Sequence, residues 1–191
     1  MKKYIPNFLT ISRIILVPVF IWLIYCVQSK EGIIWATAVF ILASITDYFD
    51  GMLARKFKVI SEFGKIMDPL ADKILVLSAL IALSIRLELI SLVTVIVILI
   101  REVIVSLFRE YFASRKIFIP ANIWGKIKTF MQMVGTIAAL LVYTIQATTD
   151  FRIFPQEYVY DVFNFYFWII AIITWYSGFQ YFFNIIGHKK K

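Results

Sequence analysis

Four aspartates, Asp47, Asp50, Asp68 and Asp72, fall close together in a chain of 191 residues that is 61% hydrophobic and only 17% charged. Asp47 and Asp50 are three positions apart and Asp68 and Asp72 four, so on helices each pair shares one face. The connection from Lys56 to Phe63 is short, which makes the two helices antiparallel neighbours with both pairs near the same end. A charged side chain deep in a bilayer costs roughly 2.5 to 3.5 kcal/mol, and four carboxylates in one place also repel one another. Arg55, Lys65 and Lys73 offer ordinary ion pairing at a solvated helix end. A hard divalent cation accounts better for the spacing, because Mg²⁺ and Mn²⁺ prefer oxygen ligands and commonly bridge carboxylates to substrate phosphates.

Gly51 and Ala54 lie on nearly the same side of their helix as Asp47 and Asp50, leaving that face without bulk. A planar base or a diphosphate can approach the backbone there. Small residues by themselves favour plain helix packing; it is the neighbouring carboxylates that shift the balance toward a ligand.

The elements that must position these residues are membrane helices. So apolar a composition is wrong for a water-soluble domain of this size, several apolar runs reach or approach the roughly 20 residues that cross the bilayer core, and β-barrel alternation is absent. About six spans are expected, near residues 7–27, 33–55, 64–85, 89–112, 124–146 and 158–186. The fold class is therefore all-α and polytopic, with one membrane domain over residues 1–191. Lys2 and Lys3, then Arg55, Lys56 and Lys58, then Arg115 and Lys116, then Lys189 to Lys191 fall at alternate exits, while the other exits carry mixed charge. The positive-inside rule then puts both termini and the aspartates on the cytoplasmic side. The net charge of +8 serves topology rather than nucleic acid, since no basic domain stands outside the spans. Met1-Lys2-Lys3 leads into a long run broken by Arg13 and Pro18, so no removable targeting segment is expected. With Cys26 alone, disulfides within one chain and metal-cysteine clusters are excluded. The aromatic residues of the last span serve interfacial anchoring and lipid packing. Ile5-Pro6-Asn7 reads either as a helix start or as part of a polar pocket.

The pattern Asp-x-x-Asp-Gly-x-x-Ala-Arg from Asp47 to Arg55, followed after eight residues by Gly-x-x-x-Asp-x-x-x-Asp from Gly64 to Asp72, resembles the signature of the CDP-alcohol phosphatidyltransferase family. So many residues at set offsets make chance occurrence far rarer than for a short motif. The resemblance covers the whole chain. It implies about six membrane helices, a homodimer in a bacterial plasma membrane, two Mg²⁺ or Mn²⁺ ions, and transfer of the phosphatidyl group of CDP-diacylglycerol to an alcohol at a site facing the cytoplasm. It makes Asp47 and Asp68 ligands shared by both ions, Asp50 a ligand of the first and Asp72 a ligand of the second and the general base. Gly51, Arg55 and Ser61 match positions that contact the CDP moiety, Pro6 and Asn7 match a nucleotide-contacting segment, and Ala54 and Gly64 complete the CDP-lipid set.

Acceptor choice must rest on residues outside that motif. Arg101 and Glu102 interrupt the run that starts at Leu89, with Arg109 on roughly the same side as Arg101. An arginine in such a run is a functional candidate, against pairing with Glu102 or snorkelling. Lys126 and Lys128 start the fifth span and cannot both face one pocket on a regular helix, leaving one for lipid headgroups. These cations suit an acceptor that carries phosphate, because arginine binds it in a fork and lysine as a point charge. Glycerol 3-phosphate is favoured over serine; inositol phosphate satisfies the same electrostatics. The strings Ile-Pro-Asn-x-Leu-Thr-x-x-Arg, Lys-Ile-Met-Asp-Pro-Leu-Ala-Asp-Lys, Arg-Glu-Val and Gly-Lys-Ile-Lys-Thr resemble one branch of the family, the bacterial phosphatidylglycerolphosphate synthases, with phosphatidylglycerol phosphate and CMP as the implied products. Two rivals fit less well. An intramembrane aromatic prenyltransferase carries its two aspartate motifs on distant helices, and an acidic-residue transporter has no need of the Gly-Ala-Arg pattern.

Overall fold

The structure is a computed structural model that describes residues 5–57, 62–115, 123–149 and 154–188; for 5–11, 47–57, 62–70, 72, 113, 114 and 184–188 it describes the backbone alone. The described residues form six α-helices and no strand: α1 (Ile5–Cys26), α2 (Lys30–Phe57), α3 (Glu62–Ile81), α4 (Leu92–Ser114), α5 (Ile123–Thr148) and α6 (Gln156–His188). Each coincides with one expected apolar run. The all-α expectation is met. Ser61 lies outside the described residues.

The helices group into two compact units, residues 1–87 with 136–153 and residues 88–135 with 154–191. In the first, α1 packs against both α2 and α3. Only Val27 to Ser29 separate α1 from α2, so the two run antiparallel. Ser29 Oγ accepts the Gly32 N–H at 3.1 Å, which caps α2 and starts it at Lys30 rather than near Ile33 as expected. A Cβ on Gly32 would stand 2.5 Å from the Val27 carbonyl oxygen; only glycine fits so tight a link.

The buried stripe of α1 is Arg13, Val17, Phe20 and Ile24, and that of α2 is Ile33, Ala36, Phe40 and Ala43. Both keep the three- and four-residue steps of a helix face. The rings of Phe20 and Phe40 meet at 5.5 Å between centroids, tilted by 51°. That contact fixes the register, with Ile24 level with Ala36 and Val17 with Ala43. On α3 the buried stripe is Ala71, Leu75, Val76, Ala79 and Leu80. Thr37 and Thr144 hydroxyls bond at 2.8 Å, joining α2 to the C-terminal half of α5. The third helix was expected to continue to about Ile85; instead the α-helix ends at Ile81 and a π-helical turn, Ala82–Arg86, follows. The Leu87 N–H reaches the Ala82 carbonyl at 2.9 Å across five residues, and Glu88, at φ 52°, leaves the helical path.

In the second unit α4 packs on α6. Asn164 Oδ1 accepts the Ser91 N–H at 3.0 Å and the Thr94 hydroxyl at 3.1 Å, and the Trp175 indole donates to the Val97 carbonyl at 3.3 Å. The N-terminal half of α5 is held to α6 by Tyr166, whose hydroxyl donates to the Met131 carbonyl at 2.9 Å. Its ring lies where a side chain at residue 135 would be: a Cβ on Gly135 would meet Tyr166 Cε1 at 2.2 Å.

Large apolar side chains face outward in both units, among them Trp22, Trp35, Phe130, Phe165, Ile172 and Phe183. Such a surface suits lipid rather than water. Ile123–Thr148 and Gln156–Phe183 are each long and apolar enough to cross a membrane.

Candidate functional site

The aspartates stand on α2 and α3 at helical spacing from buried residues of those helices. On α2, Asp47 stands seven positions beyond Phe40 and Asp50 seven beyond Ala43; on α3, Asp68 and Asp72 stand seven before Leu75 and Ala79. Seven residues are nearly two full turns, so each aspartate follows a fully buried residue along one side of its helix. Gly51, Ala54 and Arg55 also lie on α2, Gly64 on α3, and Pro6 and Asn7 in the first turn of α1. Proline suits that turn because its missing N–H has no partner there anyway. The side chains of all these residues lie outside the described ones, and the described side chains alone form no group of three metal-ligating residues. By residue type, two pairs of carboxylates on α2 and α3 are hard oxygen donors, the class of ligand that Mg²⁺ and Mn²⁺ prefer.

The second unit gathers a separate polar cluster. Arg101 of α4 is buried and its Nη2 donates to Ser177 Oγ of α6 at 2.9 Å. Glu102 is engaged by buried Lys128 of α5, not by Arg101. Gln132, one turn beyond Lys128, and Thr174, one turn before Ser177, are buried as well. Arg101 Nε and Thr174 Oγ1 have no hydrogen-bond partner among the described residues. A buried guanidinium with an unused N–H can donate it to an anion's oxygen. Arg109 is exposed, with its guanidinium carbon 5.9 Å from the centre of the Tyr181 ring, one turn along α6 from Ser177. Lys126 is exposed whereas Lys128 is buried, as positions two apart on a helix require.

A sequence profile of the CDP-alcohol phosphatidyltransferase family matches residues 3–178. The chain belongs to the CDP-alcohol phosphatidyltransferase family. Among relatives in this family, the CDP-diacylglycerol–glycerol-3-phosphate 3-phosphatidyltransferase of Rickettsia typhi (strain ATCC VR-144 / Wilmington) is 38% identical over 180 residues, 94% of this chain and 96% of that protein. The protein of the same name from Bacillus subtilis (strain 168) is 35% identical over 190 residues, 93% of each chain. A third, from Haemophilus influenzae (strain ATCC 51907 / DSM 11121 / KW20 / Rd), is 40% identical over 139 residues, 71% of this chain and 74% of that one.

For a CDP-alcohol phosphatidyltransferase, sequence reasoning overlooked the part of the polar cluster contributed by α6. Ser177 was hidden in an aromatic stretch read as lipid anchoring, and Thr174 with it. The available signal was small polar residues, Thr174, Ser177 and Gly178, recurring within an otherwise bulky run. Arg13, which in the sequence only interrupts the first apolar run, is buried in the structure.

Proposed function

We propose that this protein transfers the phosphatidyl group of CDP-diacylglycerol to glycerol 3-phosphate, giving phosphatidylglycerol phosphate and CMP. The observation that carries the reading is the match to relatives of that name over nearly their whole length, 96% of the Rickettsia typhi protein. The aspartate pattern supports it independently, because all its fixed positions are present in this chain.

In this reading Asp47, Asp50, Asp68 and Asp72 would hold two divalent ions, which would supply Lewis-acid charge withdrawal for the leaving CMP. Gly51 and Ala54 leave room on α2 for the CDP moiety, with Arg55, Ser61, Gly64, Pro6 and Asn7 as further contacts. Arg101 and Lys128 bind the acceptor phosphate, supported by the buried cations and the unused Arg101 Nε; Arg109 and Lys126 guide it from the exposed side. The acceptor hydroxyl oxygen attacks the phosphatidyl phosphorus, its proton passes to an Asp72 carboxylate oxygen, and the bond to CMP breaks with the electron pair leaving on CMP.

All six helices cross the bacterial plasma membrane, with both termini and the aspartates on the cytoplasmic side. The alternation of basic and mixed-charge helix ends supports that topology. The protein works as a homodimer, as its family resemblance implies.

Purified protein in detergent, given CDP-diacylglycerol, labelled glycerol 3-phosphate and Mg²⁺ or Mn²⁺, is expected to release CMP and a labelled lipid. EDTA abolishes both products. Serine or inositol phosphate in place of glycerol 3-phosphate gives little product. Product with serine alone would refute the acceptor assignment, and full activity in EDTA would refute the metal.

A further inference from the structure

Arg13 is 1% exposed, one of the most completely buried large side chains in the protein, and no step of the proposed reaction uses it. A guanidinium keeps its charge at any working pH, and burial without a compensating charge is among the costliest arrangements in a fold. Its position says where the compensation comes from. The buried stripe of α1 descends Ile24, Phe20, Val17, Arg13, and that of α2 ascends Ala36, Phe40, Ala43. The Phe20–Phe40 ring contact pairs the two stripes, with steps of four, three and four residues on α1 answered by four and three on α2. The next α2 step, four residues past Ala43, is Asp47. Arg13 therefore stands level with the first aspartate, about 10 Å along the helix axis from the phenylalanine pair at 1.5 Å per residue. All of this lies within one compact unit.

We propose that Arg13 is a positioning residue for the aspartate site: a fixed counter-charge, supplied by α1, that offsets the carboxylates before metal arrives and holds the Asp47 end of α2. The guanidinium is sealed inside the protein and does not contact substrate. Its role is to let four carboxylates coexist on α2 and α3 in the metal-free protein, where their mutual repulsion would otherwise push the helices apart or protonate one of them. This inference rests on the reading of those aspartates as a divalent-metal site.

The test uses full-length protein in detergent, with thermal midpoints measured in EDTA and in saturating Mg²⁺. Arg13→Met is expected to lower the EDTA midpoint by several degrees more than the Mg²⁺ midpoint, so the rise produced by metal is larger than in the parent. Arg13→Lys restores most of the loss. Asp47→Asn, which lowers the parent's EDTA midpoint, raises that of Arg13→Met; Glu31→Gln, at the opposite end of α2, is additive with Arg13→Met. If Arg13→Met does not yield folded protein, Arg13→Met with Asp47→Asn is expected to recover it. Equal losses in EDTA and Mg²⁺ with additive Asp47→Asn, or failure of the double variant to recover folding, would overturn the proposal and leave Arg13 a packing residue. A parent protein that neither Mg²⁺ nor Mn²⁺ stabilises would overturn the metal reading instead, while the cycle with Asp47 still decides the placement of Arg13.

Discussion

Removing one member of the Glu102–Lys128 pair separates fold from acceptor binding. The side chains of Lys128 and Glu102 are only 5% and 17% exposed, so removing either one breaks a largely buried ion pair. Breaking a buried pair in this way costs about 3 to 5 kcal/mol, and the residual opening of Glu102 argues for the low end, about 3 kcal/mol. For a chain of this size each kcal/mol moves the thermal midpoint by about 2 to 4 °C, so Glu102→Gln or Lys128→Met should melt roughly 6 to 12 °C early. Replacing both, Glu102→Leu with Lys128→Met, exchanges the pair for apolar groups of similar volume and should return stability to within about 1 kcal/mol of the parent. Intrinsic tryptophan fluorescence in detergent, at one heating rate, follows all four proteins. The double variant should nevertheless need at least ten-fold more glycerol 3-phosphate for half-maximal rate, since Lys128 is lost as a phosphate contact, worth about 1.5 to 3 kcal/mol as a charged hydrogen bond. Additive losses in the double variant would refute the buried coupling. A stable double variant with the parent's glycerol 3-phosphate dependence would refute the role given to Lys128.

Asp72→Asn should lower turnover by about 10² to 10⁴, the usual loss for a general base, with a smaller change in the CDP-diacylglycerol concentration for half-maximal rate; unaltered turnover would exclude Asp72 as the base. Ser177→Ala removes the Arg101 hydrogen-bond partner and should raise the glycerol 3-phosphate requirement about five- to ten-fold for roughly 1 kcal/mol, leaving the CDP-diacylglycerol requirement alone. Gly32→Ala drives a methyl into the Val27 carbonyl and should cost about 1 to 3 kcal/mol, read as an earlier thermal midpoint with unchanged substrate dependence. The Ser29 hydroxyl and the Glu31 backbone N–H hold the Glu31 carboxyl below its ordinary range, so its contribution to stability is present above that range and fades as pH falls through the lowered value. The deficit of Ser29→Ala should therefore shrink on acidification toward a pH-independent remainder, the lost cap on Gly32; a deficit that grows in acid would contradict this.

Six apolar runs in the sequence became six helices because hydrophobic length and charged exits are written locally, residue by residue. Ends were less legible. The start of α2 depends on which hydroxyl reaches an N–H, and the end of α3 on a π-helical turn that no apolar pattern encodes. The aspartate pairs fall on α2 and α3, where steps of three and four residues put each pair on one helix face. The polar cluster was only half legible: Arg101 and Lys128 stand out as cations in apolar runs, but their partners are set by the packing of α4, α5 and α6. Glu102 next to Arg101 in sequence invited pairing, yet adjacent positions on a helix point about 100° apart, and Glu102 turned to Lys128 while Arg101 turned to Ser177. Arg13 shows the same gap. Its charge was visible, but its burial depends on two stripes meeting in register.

Helices with smooth apolar flanks slide past one another at little cost in lipid, since one methyl contact replaces another. The Tyr166 ring seated in the gap at Gly135 acts as a detent against that sliding. A shift of one turn, about 5.4 Å, would drive the ring out of the gap at Gly135 and strip its hydroxyl from the Met131 carbonyl. Gly135 lies two turns from Lys128, and Tyr166 three turns from Ser177. The notch therefore indexes the height of one cluster residue on α5 against another on α6. A substitution at Gly135 would disturb the cluster of Arg101, Lys128 and Ser177 through misalignment alone.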